Sequence, residues 1–404
     1  MAQFQVKSIN EFGKIIDVVV NAEDKMKIYE QADAKNESIV SIKNYKEPFS
    51  FSRLQNRFYR VKPQELENFT AQLVVMLKAG VPLIESLGMI GKQLESEKME
   101  EIVQDIIDKV NAGMIFSKAI NHYPRVFNSL YVSMAKVGET TGSMDTVLDH
   151  VKNFLHHDIA IKRKVKSAMR YPIIVMSVLG IAFTAAIVFI IPQFSTMFAS
   201  ADIVLPLPTR ILIFLSDMIT TYWAITLTVS VIVISLLKFY LNKPGGAYQF
   251  DTLKLMMPVF KNIVLESSIA RFARVLETLS KSGVKIIKAL EITRETIENR
   301  VISRDIKKAT EKVTTGISIA DALSESKHFP QMTLMMIGAG ERSGALEAML
   351  SNIAEQYDTS VDLKIEGLSA AIEPILTIVI AAFLLVFALA IFLPMWSMTD
   401  VIGK

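Results

Sequence analysis

Residues 137–144 read VGETTGSM and residues 339–346 read AGERSGAL. The two octapeptides align Gly138 with Gly340, Glu139 with Glu341 and Gly142 with Gly344, an offset of 202. Working outward, Gly80-Val81 matches Gly283-Val284 and Gly113 matches Gly316 at 203, while Pro172 matches Pro374 and Pro192 matches Pro394 at 202. Apolar positions repeat with them: Leu66, Phe69, Leu73 and Leu87 correspond to Ile269, Phe272, Leu276 and Leu290. A period near 200 exceeds any solenoid repeat, so the chain is one unit written twice.

Within each copy the apolar period is helical. Met99, Ile102, Val103, Ile106, Ile107 and Val110 form one stripe, and Met144, Val147, Leu148, Val151 and Leu155 another, at the three-four spacing that faces a core. Gly80, Gly113 and Gly138 fall where helices should stop, and Ser117 and Ser318 where new ones are capped. The spacing predicts Gly138 and Gly340 in a left-handed, helix-ending conformation. Glu139 and Glu341 are then expected near the positive end of the following helix, as structural caps or as partner contacts.

Each bundle is followed by an apolar run. No charge occurs between Arg170 and Asp202, and Ile173–Ile191 is about the length that crosses a bilayer. Met218–Leu237 is a second uncharged run, with Tyr222 and Trp223 at one end and Phe239 and Tyr240 at the other. Ile375–Leu393, between Pro374 and Pro394, is a third. Lys162, Arg163, Lys164, Lys166 and Arg170 precede the first run and Arg210 alone lies between the first two, which puts the bundles in the cytoplasm. Three crossings from an inside start leave the carboxyl terminus outside. The expected class is an all-α, polytopic membrane protein with three transmembrane helices and two homologous cytoplasmic bundles. Its parts are an amino-terminal cytoplasmic segment (1–61), a first bundle (62–170), a membrane helix (171–192), an external loop (193–217) and a second membrane helix (218–240). A second bundle (241–368), a third membrane helix (369–396) and a short external tail (397–404) complete it.

Composition agrees with a part-membrane, part-aqueous chain: 51% of the 404 residues are hydrophobic and 21% charged, with a mean hydropathy of +0.35. The 44 Lys+Arg against 41 Asp+Glu leave a net charge of +3, too small a basic excess for nucleic acid as the main partner. With no cysteine there is no disulfide scaffold, thiolate zinc site or cysteine nucleophile.

Reactive constellations are weak. Gly338–Gly344 lacks the Lys-Ser/Thr of a phosphate-binding loop and no strand pattern precedes it, so it reads as a helix-hairpin turn. His156 and His157 diverge by about 100° on a helix and do not converge on one metal. His122 and His328 precede Tyr123-Pro124 and Phe329-Pro330 and mark turns. Arg271 and Arg274 share a helix face opposite Phe272, Val275, Leu276 and Leu279; that face is either solvated or docks an acidic partner. Glu373, beside a membrane run, starts the helix or contacts another subunit. No catalytic, cofactor or metal residue is assigned, and the chain reads as non-enzymatic.

The segments Phe69–Leu73, Leu77–Leu83, Val137–Met144 and Tyr171-Pro172, with Ala339–Leu346 and Glu373-Pro374, resemble the inner-membrane platform proteins of type IV pilus and type II secretion machines, the PilC/GspF family. Residues 4–45 resemble its short amino-terminal segment. The second copy departs at Ser280 and Lys285, where Leu77 and Pro82 stand in the first. The resemblance implies a multi-pass protein of the cytoplasmic (inner) membrane that couples a cytoplasmic hexameric assembly ATPase to the movement of pilin or pseudopilin subunits into a fibre. It also implies contacts with other inner-membrane assembly proteins and a homo-oligomer, a dimer being favoured. The rival is a transporter built from parallel repeats, against which the three apolar runs hold no ionisable side chain in their interiors.

Overall fold

The computed structural model describes residues 2–9, 15–22, 38–44, 61–194 and 206–402, in two compact units that divide after Val61. The first is a three-stranded sheet, β1 (Ala2–Ile9), β2 (Ile15–Ala22) and β3 (Ser38–Asn44), in the order β2-β1-β3 with both pairings antiparallel. Val6 lies opposite Val18 on one side and Ile42 on the other. The helical class therefore holds from Lys62 onward, and a small sheet stands before it. Its signal was the β-branched run Ile15-Ile16-Asp17-Val18-Val19-Val20, which suits a pleated ladder better than a helix.

The second unit is helical, and the duplication is visible in it. The first bundle comprises α1 (Pro63–Lys78), α2 (Leu83–Gly91), α3 (Glu97–Asn111), α4 (Phe116–Asn121), α5 (Ser129–Thr141) and α6 (Met144–Ala168). After α7 (Arg170–Phe189), α8 (Leu207–Thr220), α9 (Trp223–Asn242) and α10 (Pro244–Met256), the second bundle repeats the series. It runs through α11 (Pro258–Lys281), α12 (Ile286–Thr296), α13 (Arg300–Thr314), α14 (Ile319–Ser324), α15 (Gln331–Ser343) and α16 (Leu346–Ile402). Side-chain caps set several starts: Ser96 accepts from the Met99 amide, Asn128 from Tyr131 (2.9 Å) and Ser318 from Asp321 (3.0 Å).

The two cores share their main contacts, in one case through equivalent residues and in another through aspartates at different positions of the third helix. Phe69 packs edge-on against Phe127 (6.3 Å between ring centres), as Phe272 does against Phe329 (5.3 Å). In each bundle an aspartate on the third helix ties down the segment after the short fourth one. Asp105 accepts from Tyr123 (2.5 Å), and Asp305 from Ser326 (2.5 Å) with the His328 ring at 2.7 Å. Burial pushes the Asp305 carboxyl up, but His328 and Ser326 outweigh it and hold it below the ordinary value. This tie stabilises the fold above the ordinary carboxylate range and is lost as pH falls through the lowered value.

The hairpin glycines divide into two jobs. Left-handed backbone occurs at Gly142 (φ 72°) and Gly344 (φ 70°), where α5 and α15 end. Gly138 and Gly340, expected to end those helices, are instead buried one turn inside them. A Cβ on Gly138 would lie 2.9 Å from the Met144 Cα, and one on Gly340 2.9 Å from the Leu346 Cα. These glycines let α6 and α16 fold back in near-contact with the helix before.

Glu139 and Glu341 do cap helices, although not the ones that follow them. The Glu139 carboxylate accepts from the Ser117 amide (2.9 Å) and hydroxyl at the start of α4; Glu341 accepts from the Ile319 (2.6 Å) and Ala320 (3.0 Å) amides at the start of α14. Ser117, expected as a cap, is thus a donor within α4. A long-range cap needs a hairpin to bring it round, which is why sequence neighbours did not reveal it.

Among the described residues, three helices are long and apolar enough to cross a membrane. Two of them begin inside the bundles. Met144–Phe194 runs 51 residues from α6 through α7, and α16 runs 57 residues through both Pro374 and Pro394. Those prolines, which flank the uncharged run Ile375–Leu393 and lie inside the expected membrane helix 369–396, are internal to α16. At 1.5 Å per residue α16 is on the order of 86 Å long. The second crossing begins at Trp223 rather than near Met218, because residues 207–220 form the separate helix α8 within the expected loop. It packs across α7 and α16: Leu212 meets Ile187, Ile191 and Ala390, and Thr209 donates to the Ala390 carbonyl (2.8 Å). No described side chain of α9 is buried.

Replacing Gly340 by Ala should lower the thermal unfolding midpoint of the detergent-solubilised protein by the equivalent of roughly 2 kcal/mol, the cost of overpacking against backbone. Gly88→Ala, in α2 with nothing within 4 Å, should leave the midpoint unchanged or raise it. Equal losses at both positions would contradict the close-approach role.

Candidate functional site

Helices α6, α11 and α16 converge just before the apolar segments begin. Ile263, Val361, Ile365 and Leu368 form a buried cluster against which Ile161, Val165, Ala168, Met169 and Ile372 pack. Two long helices thereby leave the bundles side by side, joined by apolar contact before either enters its uncharged run. Farther on, Phe183 of α7 meets Phe383 and Phe387 of α16 edge-on.

Above that cluster the two bundles meet along a charged joint. The sequence marks Arg271 and Arg274 as a free basic face; the structure employs both internally. Arg271 donates to the Thr296 carbonyl (3.1 Å), pairs with Asp158 of the first bundle and lies 3.2 Å from Glu298. Arg274 pairs with Asp358 of α16. Lys162 bridges Asp158 (3.0 Å) and Glu298 (2.7 Å), and Lys164 reaches Asp362 (2.5 Å). Burial pushes the Glu298 carboxyl up, but Arg271 and Lys162 pull it further down, so it sits below the ordinary value. A guanidinium at one-fifth exposure with two carboxylates and a carbonyl around it is a joint between domains, not an open docking cation.

Glu373 is placed differently. It is exposed on α16 immediately before Pro374, and among the described residues no cation pairs with its carboxylate. Its backbone carbonyl accepts from the Thr377 hydroxyl (3.0 Å). Of the three candidate contact residues it alone faces outward without a partner. His156 pairs with Glu67 (2.7 Å), while His157 turns toward the joint beside Arg274.

Sequence reasoning missed Asp158, Glu298, Glu266 and Lys364. Their pairings join residues far apart in the chain: Glu266 holds Lys364 and accepts from Ser360 (2.8 Å) across 94 positions. One signal was available. Asn68 and Ala71 of the first copy become Arg271 and Arg274 in the second, so the copies differ in charge where the joint forms.

The arrangement holds two helical bundles against each other at the point where α6–α7 and α16 leave them for the apolar segments. A family model described as type II secretion system (T2SS), protein F matches residues 69–192 and again 272–394, the two copies. The type IV pilus assembly protein PilC of Thermus thermophilus is 32% identical over 403 residues, 98% of each chain. PilC of Myxococcus xanthus is 35% identical over 346 residues, 85% of this chain and 83% of its own. The type II secretion system protein F of Xanthomonas campestris is 28% identical over the full length of both chains.

The Arg271–Asp158 pair should show energetic coupling. In a cycle of Arg271→Ala, Asp158→Ala and the double substitution, the double should cost less than the sum of the singles by about 1–2 kcal/mol. Unfolding of the full-length protein in detergent reads it. Additivity within about 0.5 kcal/mol would contradict a working joint.

Proposed function

The chain belongs to the type II secretion system protein F family, and on that premise we propose that it is the inner-membrane platform of a type IV pilus or type II secretion machine. In this reading it is a non-enzymatic scaffold that passes work from a cytoplasmic assembly ATPase to pilin-like subunits leaving the membrane. One observation carries the proposal: the second bundle continues into its apolar segment as the single helix α16, and in the first α6 passes into α7 across one residue, Met169, whose backbone stays right-handed helical. A displacement applied to a bundle is then delivered along a helix, the stiffest element the chain has, to the depth of the bilayer.

The cluster of Lys162, Arg163, Lys164, Lys166 and Arg170 ahead of the first crossing, against Arg210 alone between the first two, supports bundles on the cytoplasmic side and a carboxyl terminus outside. That is the side on which a nucleotide-driven motor works. Because Arg271 and Arg274 are engaged within the chain, the motor-facing surface is drawn elsewhere on the bundles. Glu373 remains the candidate contact for a subunit in the membrane, with other inner-membrane assembly proteins arranged around it.

Deleting the chain should abolish fibre assembly or secretion while prepilin still accumulates in the membrane. The purified protein in nanodiscs should hydrolyse no ATP of its own and should raise the motor's hydrolysis when the two are mixed. Fibres assembled without the chain, or solute flux through proteoliposomes containing it alone, would overturn the reading in favour of another role or of a transporter.

A further inference from the structure

Helix α10 joins the end of a membrane helix to the foot of the second bundle, and both of its ends lie at the edge of an uncharged run. At its start, α9 stops at Asn242 and Lys243 is extended (φ −74°, ψ 145°). The chain then turns against the last turn of α9. The Tyr240 hydroxyl donates to Gln249 (2.7 Å), and a Cβ on Gly246 would collide with the Tyr240 carbonyl. A helix continuing in line would carry residue 246 on the order of 9 Å beyond residue 240. Past the other end, Ile263 on α11 belongs to the buried cluster at which α6 and α16 become apolar. A segment pinned at both ends to that border runs along the membrane surface and not away from it.

The two faces of α10 are unlike. One is committed to the second bundle, where the Asp251 carboxylate accepts from the Arg300 amide (3.1 Å) and its carbonyl from the Asn299 side chain (3.2 Å). On the same side Leu255 is buried and Arg304 lies over the Tyr248 ring (5.7 Å). These contacts leave Phe250, Leu253 and Met256 outward, 43%, 52% and 71% exposed, at the three-residue spacing that makes one stripe. Single exposed apolar side chains are ordinary, but a row of three at the membrane border marks a surface that something covers.

Charge says what covers it. Between Leu237 and Glu266 the chain carries Lys238, Lys243, Lys254 and Lys261 and one acid, Asp251, which is buried and pairs with Lys254 (2.9 Å). No other carboxylate lies in the segment to balance the remaining lysines. Lys243 lies over the Phe239 ring (4.8 Å) and Lys254 over the Phe250 ring (4.7 Å). Each runs its stem along an apolar surface and holds its ammonium at the edge, as lysines do where hydrocarbon gives way to headgroups.

We propose that α10 is a lipid-binding helix, its Phe250, Leu253 and Met256 stripe set into the leaflet at which α9 ends and its lysines holding anionic phospholipid headgroups. Apolar area and basic flanks together bind such a helix to an anionic surface. Because Asp251 caps the start of α13, the same contact ties the foot of the second bundle to the lipid. The proposal rests on α9 crossing the membrane and not on which machine the chain serves.

Lipid-borne quenchers test it in the full-length protein, which has no cysteine of its own. A fluorophore at Leu253→Cys, in nanodiscs of phosphatidylcholine and phosphatidylglycerol, should be quenched by nitroxides on the lipid acyl chains. Phosphatidylglycerol should quench it more strongly than phosphatidylcholine carrying the same nitroxide at the same mole fraction. Lys243→Gln with Lys261→Gln should abolish that preference, while a fluorophore at Lys307→Cys, exposed on α13, should be quenched by neither lipid. An unquenched fluorophore at position 253 would place the stripe in water or under protein and overturn the proposal. Equal quenching by the two lipids, or a preference that survives the loss of both lysines, would overturn the recognition of anionic headgroups.

Discussion

The apolar cluster at the base of the bundles, where Ile263, Val361, Ile365 and Leu368 meet Ile161, Val165 and Met169, is the contact on which the remaining architecture depends. It fixes two membrane-bound helices side by side at the last point before each becomes uncharged. Burying side chains of this size stabilises by about 1.5–3 kcal/mol each, whereas the attraction within a largely buried ion pair is mostly offset by the desolvation of its charges. The ion pairs above it, around Arg271 and Asp158, therefore set the angle and register of the bundles more than they hold them together. Removing the apolar contact would leave each bundle to pivot on its own helix.

The duplication is not reproduced where the bundles meet: Arg271, Arg274 and Asp158 of the joint correspond to Asn68, Ala71 and Ser360 in the other copy, so the charge that joins the bundles belongs to one half of each repeat alone.

Much of this was legible in the sequence. Helical periodicity, the 200-residue repeat and the uncharged runs gave the bundles and the crossings, because each is a local pattern or a direct self-comparison. The small sheet was less visible, its β-branched runs being short and its ladders non-local. Gly138 was misassigned for an instructive reason: glycine is used both where φ is positive and where no Cβ fits, and only the backbone tells Gly142 from Gly138. Pro374 and Pro394 flank the uncharged run Ile375–Leu393, yet within an apolar helix the freed carbonyls are tolerated and α16 runs through both. Arg271 looked free because its partners, Asp158 and Glu298, lie in other segments of the chain, and no local pattern carries that pairing.

The central claim is that the second bundle and its membrane helix are one rigid rod. Spin labels at Glu355→Cys and Leu389→Cys, both exposed on α16 and 34 residues apart, measure it directly in nanodiscs. A continuous helix with at most a modest bend at Pro374 predicts a single narrow distance distribution centred at about 50 Å. A broad distribution shifted well below that value, as a hinge at Pro374 would produce, would contradict transmission along α16.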